Sequence, residues 1–180
     1  MNTEYLIKQY LQTSGQEPVY REMWDEALAG IQKHLVTCTK HSKLQFIAEL
    51  PHGIGGPLSP KMDHLVCFLP GSIVIGATEG LTEKEARNLP GWNSQKEQQM
   101  QLARELMKTC WAMYAVTASG LAPEITWFEV DEADMGPSSR SPPMARSNND
   151  KSSWEQDLNI KPLDAHNLQR PETVESLFLM

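Results

Sequence analysis

The stretch "SPKMDHLVCFLPGSIVIGA", residues 59–77, constrains the fold more than any other part of this chain. Ser59 suits an N-cap and Pro60 the first helical position, and from Leu65 to Ala77 the side chains are almost wholly apolar. The pattern predicts one helix, with Asp63 and His64 in its first turn, buried on all sides. A helix without a polar face needs neighbours all round it, so the rest of the chain must wrap about this element. At 180 residues there is enough chain for one domain with such a core. The run falls short of the roughly 20 apolar residues that a membrane span requires.

The neighbours are legible as further helices. Tyr5, Leu6 and Leu11, then Tyr20, Met23, Trp24, Ala27, Leu28, Ile31 and Leu35, recur at helical spacing, and "SGQEP" at residues 14–18 breaks them into a helical hairpin. Residues 97–117, "EQQMQLARELMKTCWAMYAVT", form a long amphipathic helix with Met100, Ala103, Met107, Cys110, Trp111 and Tyr114 on one face and Gly120 placed for a C-cap. "KLQFIAEL", residues 43–50, alternates as a short strand, "PHGIGGPLSP" follows it as a turn-rich loop, and "EITWFEV" is strand-like by its branched and aromatic residues. Paired helices joined by short strands and turns predict a mainly α fold, an α-helical toroid rather than a βαβ fold. Residues 131–159, rich in Ser, Pro, Asn and charge, are predicted to be a flexible surface insertion.

The formal net charge of -7, with no Lys/Arg cluster, argues against a nucleic-acid partner. "MNTEYLIKQYL" has no basic region followed by an apolar run, so no targeting signal is predicted in this chain, and taken literally the chain is cytosolic. Cys38, Cys67 and Cys110 have no metal-type spacing and leave the redox compartment open.

Three groups of residues are candidates for chemistry. Asp63 and His64 open the apolar helix, where the dipole stabilises an anion; a simple cap explains Asp63 as well, but an acid and an imidazole at an apolar helix are costly unless paired or wet. Glu124 in "GLAPEI" is an acid between Pro123 and a strand, on spacing alone a surface turn. Glu172 and Glu175 are three apart and project on one side of a helix that Pro171 opens, with Arg170 able to pair with either; the same string also reads as a charged N-terminal turn. Scattered carboxylates in an apolar helical scaffold suit glycoside hydrolysis, which needs an acid, a base and acceptors for sugar hydroxyls. A first-turn Glu held ionised by the dipole and an Arg suits the base of an inverting mechanism.

Four segments, "EYLIKQYLQT", "LSPKMDHLVCFLPG", "SGLAPEI" and "KPLDAHNLQRPETVESLF", resemble the class I α-1,2-mannosidases of glycoside hydrolase family 47, and "ATEGLTEKEAR" resembles the fungal endoplasmic-reticulum type. The resemblance covers residues 1–180 as a partial catalytic domain, apart from the insertion at 131–159. It implies part of an (α/α)7 barrel with short β-hairpins and carboxylates directed into a central site. It also implies a bound Ca2+ ion and inverting removal of terminal α-1,2-linked mannose from high-mannose N-glycans on glycoproteins. By motif, Glu172 of "RPET" takes the place of the general base, Arg170 that of a pocket arginine, and Glu124 of "APE" that of an acid commonly assigned as proton donor. Glu4, Asp63, His64 and Glu175 match further polar positions of the pocket. Cys67 and Cys110 match a disulfide pair, which places the parent protein in the lumen of the endoplasmic reticulum or Golgi and leaves Cys38 unpaired.

The resemblance also implies truncation at both ends. Its Asp four residues before Glu4 would fall ahead of Met1, and its direct calcium ligand, a Thr, would lie beyond Met180, so that no direct metal ligand is expected in this chain. A polypeptide of these residues alone is expected to have little or no mannosidase activity. A non-catalytic glycan-binding or degradation-targeting relative is the alternative, and a cytosolic helical interaction protein whose acids are only caps is a third possibility.

Overall fold

The computed structural model describes residues 3–131 and 153–180. Two helices, α1 (Thr3–Gln12) and α2 (Pro18–His34), form the expected hairpin, with Pro18 in the first turn of α2. A short antiparallel hairpin follows, β1 (Val36–Cys38) with β2 (Gln45–Ile47). β2 lies within the predicted strand 43–50.

The apolar stretch departs from the expected single helix. Residues Lys61–Asp63 form a strand, β3; His64–Phe68 form a 3-10 turn; and only Leu69–Thr78 is α-helical, as α3. Ser59 is not a cap: its backbone bridges Glu49. Asp63 and His64 therefore stand at a strand-to-helix junction rather than in an α-helical first turn. Pro70 fits the first turn of this helix, where its missing N–H costs nothing. What the sequence did predict is the burial: all ten residues of α3 are buried.

After the short α4 (Glu83–Arg87), closed by a Thr82/Glu85 capping box, the long helix α5 (Ser94–Ala115) packs along α3. Its C-cap is Val116; Gly120, which was expected there, sits at a positive φ of 69° in the turn beyond. β4 (Ile125–Phe128) pairs antiparallel with β3, Asp63 opposite Ile125, and with β5 (Leu158–Asn159) on its other side. The last residues of the predicted insertion are thus part of the fold, α6 (Ser153–Gln156) leading into β5; the rest of that stretch lies outside the described residues. Phe46 and Phe128 stack with ring centroids 4.2 Å apart and join the two sheets.

α7 (Glu172–Leu179) lies on α3 at a close crossing. Gly71 makes it possible, because a Cβ there would stand 3.0 Å from the Ser176 Cα. Ser176, fully buried, accepts from the Gly71 backbone N–H at 2.9 Å and donates to the Cys67 carbonyl at 2.5 Å. One hydroxyl thereby satisfies a free N–H in the first turn of α3 and fixes the position of α7. On the opposite side Gly76 admits Trp24, whose Nε1 would be 2.8 Å from an added Cβ. The core is built from α1, α2, α3 and α5, with Ile7, Leu28, Ile73, Met100 and Met113 fully enclosed.

Candidate active site

The junction between β3 and the 3-10 turn, the loop before β4, and the first turn of α7 meet at one place. Pairing of β3 with β4 sets Asp63 opposite Ile125, and the His64 backbone N–H continues the ladder by donating to the Glu124 carbonyl at 2.8 Å. Three sequence-predicted residues, Asp63, His64 and Glu124, are brought together by this register.

Arg170 reaches them from the segment before α7. Asn167 Nδ2 donates to the Ala122 carbonyl at 2.8 Å, and Asn167 Oδ1 accepts from the Gln169 N–H at 2.8 Å. Gln169 takes a left-handed φ of 54°, a conformation costly outside glycine and held here by its surroundings. The kink turns Arg170 onto Glu124 rather than onto Glu172 or Glu175, the partners its spacing suggested. Its Nε donates to both carboxylate oxygens at 2.9 and 2.8 Å and its Nη2 to Oε1 at 2.5 Å. Glu124 is accordingly no surface turn: its side chain is 14% exposed. Arg170 beside it holds its carboxyl below the usual glutamate range.

Glu172 opens α7, its side chain 15% exposed, with Oε2 at 3.6 Å from His64 Nδ1. His64 is 2% exposed, and burial pushes its pKa down, so the neutral ring is favoured. Its Nε2 lies 2.9 Å from the Tyr114 hydroxyl and 3.0 Å from that of Thr173. Burial raises the pKa of Asp63 against the opposing influence of Lys61.

Three atoms here are buried without a hydrogen-bond partner: Asp63 Oδ1, His64 Nδ1 and Glu172 Oε2. Buried polar atoms are normally paired; here Glu172 Oε2 and His64 Nδ1 face each other at 3.6 Å, and Asp63 Oδ1 stands 4.0 Å from Lys61 Nζ, contacts longer than hydrogen bonds.

Glu4 and Glu175 form a second cluster. Lys8 donates to both carboxylates, joining the N-terminal helix to α7. Burial opposes the charge on Lys8, but hydrogen bonds to Glu175 and Glu4 outweigh it and its pKa is raised. Sequence reading missed Lys8, although its i,i+4 spacing from Glu4 was a signal for pairing. It also missed Tyr114 as a polar partner, having counted it only as part of the apolar face of α5; no local pattern distinguishes the two uses.

Cys67 and Cys110 form a disulfide with a Cα–Cα distance of 5.9 Å, and Cys38 is a free thiol. Cys67 is three residues beyond His64, and Cys110 is one helical turn before Tyr114. The bond therefore ties together the two segments that carry the buried hydrogen-bonded pair. Among the described residues no three His, Cys, Asp or Glu side chains converge as metal ligands would, and no helix is long and apolar enough to cross a membrane.

The family model described as Glycosyl hydrolase family 47 matches residues 3–180. A mannosyl-oligosaccharide 1,2-alpha-mannosidase of Candida albicans is 49% identical over 98% of this chain and 28% of its own length. The endoplasmic reticulum mannosyl-oligosaccharide 1,2-alpha-mannosidases of Schizosaccharomyces pombe and Homo sapiens are 42% and 40% identical over 98% of the chain, which covers 30% and 20% of them. The chain thus spans less than a third of the length of these curated relatives. Among solved structures, an alpha-1,2-mannosidase from Trichoderma reesei matches with a TM-score of 0.70 at 23% identity, over 98% of this chain and 32% of that one. That likeness establishes the fold as part of an (α/α)7 barrel.

Proposed function

The chain belongs to glycosyl hydrolase family 47, and from that premise we propose that residues 1–180 are part of a catalytic domain that binds terminal α-1,2-linked mannose of high-mannose N-glycans. The activity of the whole protein is then inverting hydrolysis of that linkage in the lumen of the endoplasmic reticulum. The observation that carries the proposal is the convergence of Asp63, His64 and Glu172 with the Arg170–Glu124 ion pair. Sugar hydroxyls donate to carboxylate oxygens, and arginine N–H groups donate to sugar oxygens.

In this reading Glu172 is the general base. It opens a helix, where the dipole favours its ionised form, and a carboxylate there can take a proton from an attacking water. Asp63 and His64 line the same site. Arg170 keeps Glu124 ionised, so Glu124 acts as a proton donor only when that pair opens, and as a hydroxyl acceptor while it is closed. Glu4 and Glu175, joined by Lys8, border the site from α1 and α7.

Calcium belongs to the proposal for the whole protein only. The described residues bring no three ligating side chains together, so they do not fit a calcium site by themselves, and no step here depends on the ion.

The second reading is glycan binding without turnover, which the closed Arg170–Glu124 pair favours. One experiment separates the two: the purified 180-residue chain is titrated with α-1,2-mannobiose by NMR, and mannose release from a high-mannose glycan is assayed in parallel. Binding that perturbs His64 and Arg170 is expected, with no release from this chain alone. Absence of perturbation at millimolar disaccharide would refute the mannoside site, and release would overturn the expected inactivity of the isolated polypeptide.

A further inference from the structure

His64 stands between two kinds of group. Its Nε2 faces two hydroxyls, Tyr114 at 2.9 Å and Thr173 at 3.0 Å, and its Nδ1 faces Glu172 Oε2 at 3.6 Å. A neutral imidazole carries one N–H, a hydroxyl has a proton to give, and a carboxylate can only accept. With the proton on Nε2, a ring lone pair would point at a buried carboxylate oxygen. With the proton on Nδ1, the N–H points at Glu172 and Nε2 accepts from the hydroxyls. The second arrangement turns both contacts into attractions.

We infer that Tyr114 is a positioning residue for Glu172, acting through His64: its hydroxyl donates to His64 Nε2, keeps the ring proton on Nδ1, and so aims an N–H at Glu172 Oε2. This rests on the reading of Glu172 as the base. Geometry supports it twice more. The tyrosine and imidazole rings meet edge to face, with centroids 5.5 Å apart and planes at 71°. The Cys67–Cys110 bond, one turn from each residue, fixes the distance between their segments. Thr173 shares the acceptor but lies beside Glu172 on α7, so Tyr114 is the donor that comes from an independent element. With Oε2 engaged, Oε1 is the oxygen left to meet a water or a sugar hydroxyl.

The tautomer is measured directly by long-range 1H–15N correlation of the histidine-labelled 180-residue chain, above the ordinary histidine pKa and without glycan. His64 is expected as Nδ1–H. Tyr114→Phe should lower the ratio of Nδ1–H to Nε2–H roughly tenfold, the effect of one lost hydrogen bond, and Thr173→Ser should leave it unchanged. An Nε2–H tautomer in the wild type, or an unaltered ratio in Tyr114→Phe, overturns the inference. Should Tyr114→Phe fail to fold, 3-fluorotyrosine incorporation serves instead: a more acidic phenol must shift the His64 Nε2 resonance and spare the other histidines, and an unmoved resonance overturns the inference. Mannobiose binding is scored separately, so a failed glycan site and a wrong tautomer are told apart.

Discussion

Reduction of the Cys67–Cys110 bond should destabilise the chain by an amount set by the loop it closes. The two cysteines are 43 residues apart. On the chain-entropy account, closing a loop of that length removes roughly 13 cal/mol/K from the unfolded ensemble, or about 4 kcal/mol at 25 °C. Both residues are buried, Cys67 at 0% and Cys110 at 1% exposure, so the reduced thiols remain in the same apolar contacts and the loss is chiefly entropic. The assay is urea unfolding followed by the fluorescence of buried Trp24, with and without a phosphine reductant, in a Cys38→Ser background so that only this pair can reform. With a urea m-value of about 2 kcal/mol/M, the midpoint should fall by about 2 M. If the total stability is below that figure the transition is lost altogether, which the same trace shows as a missing folded baseline. An unchanged midpoint would refute the reasoning, since it would mean that the segments carrying His64 and Tyr114 hold their spacing without the bond.

Two further outcomes follow from the hydrogen bonds and charges. Ser176→Ala strands the Gly71 N–H and the Cys67 carbonyl, two buried groups at about 1–3 kcal/mol each, so a loss of about 3 kcal/mol in urea unfolding is expected, and a loss below a few tenths of that would show that α7 is not held this way. Stability should also fall in acid. The pKa of Glu124 is lowered in the fold, first by hydrogen bonding from Arg170, so its contribution is present above the ordinary glutamate value and fades as pH drops through the lowered one. The pKa of His64 is lowered by burial, so stability also declines as pH falls below the ordinary histidine value, where the unfolded chain takes up a proton that the folded one refuses. Asp63 runs the other way, its raised pKa costing stability as pH rises through it. Unfolding midpoints measured against pH, with Glu124→Gln flattening the lowest part of the acid limb, check the signs.

The helices were legible because their signals are local. The 3.6-residue period of α1, α2 and α5 and the break at residues 14–18 are properties of consecutive residues, and the apolar run at 69–78 announced its own burial. β3 was not legible: three residues inside an apolar stretch carry no period, and what makes Lys61–Asp63 a strand is the partner β4, more than sixty residues away. The same holds for the site. Asp63, His64, Glu124, Arg170 and Glu172 were found from their motifs, but which of them touch was decided by the kink at Gln169, a left-handed residue that no propensity predicts. Arg170 was therefore given the wrong partners, and Tyr114 was filed with the apolar face on which its ring does indeed sit.

The long reach of these contacts bears on when the site can exist. Lys8 meets Glu175 across 167 residues, His64 meets Thr173 across 109, and Asp157 receives Thr39 across 118. Synthesis proceeds from the N-terminus and folding tends to follow it, yet every one of these partners waits for a residue more than a hundred positions later. Until α7 leaves the ribosome, the polar groups of the 3-10 turn and the small face of α3 are exposed to whatever else is in the compartment. Of the helices described, α7 is made after the surfaces it closes, and slow or paused translation of residues 160–180 should lengthen the interval in which a chaperone can bind the nascent chain.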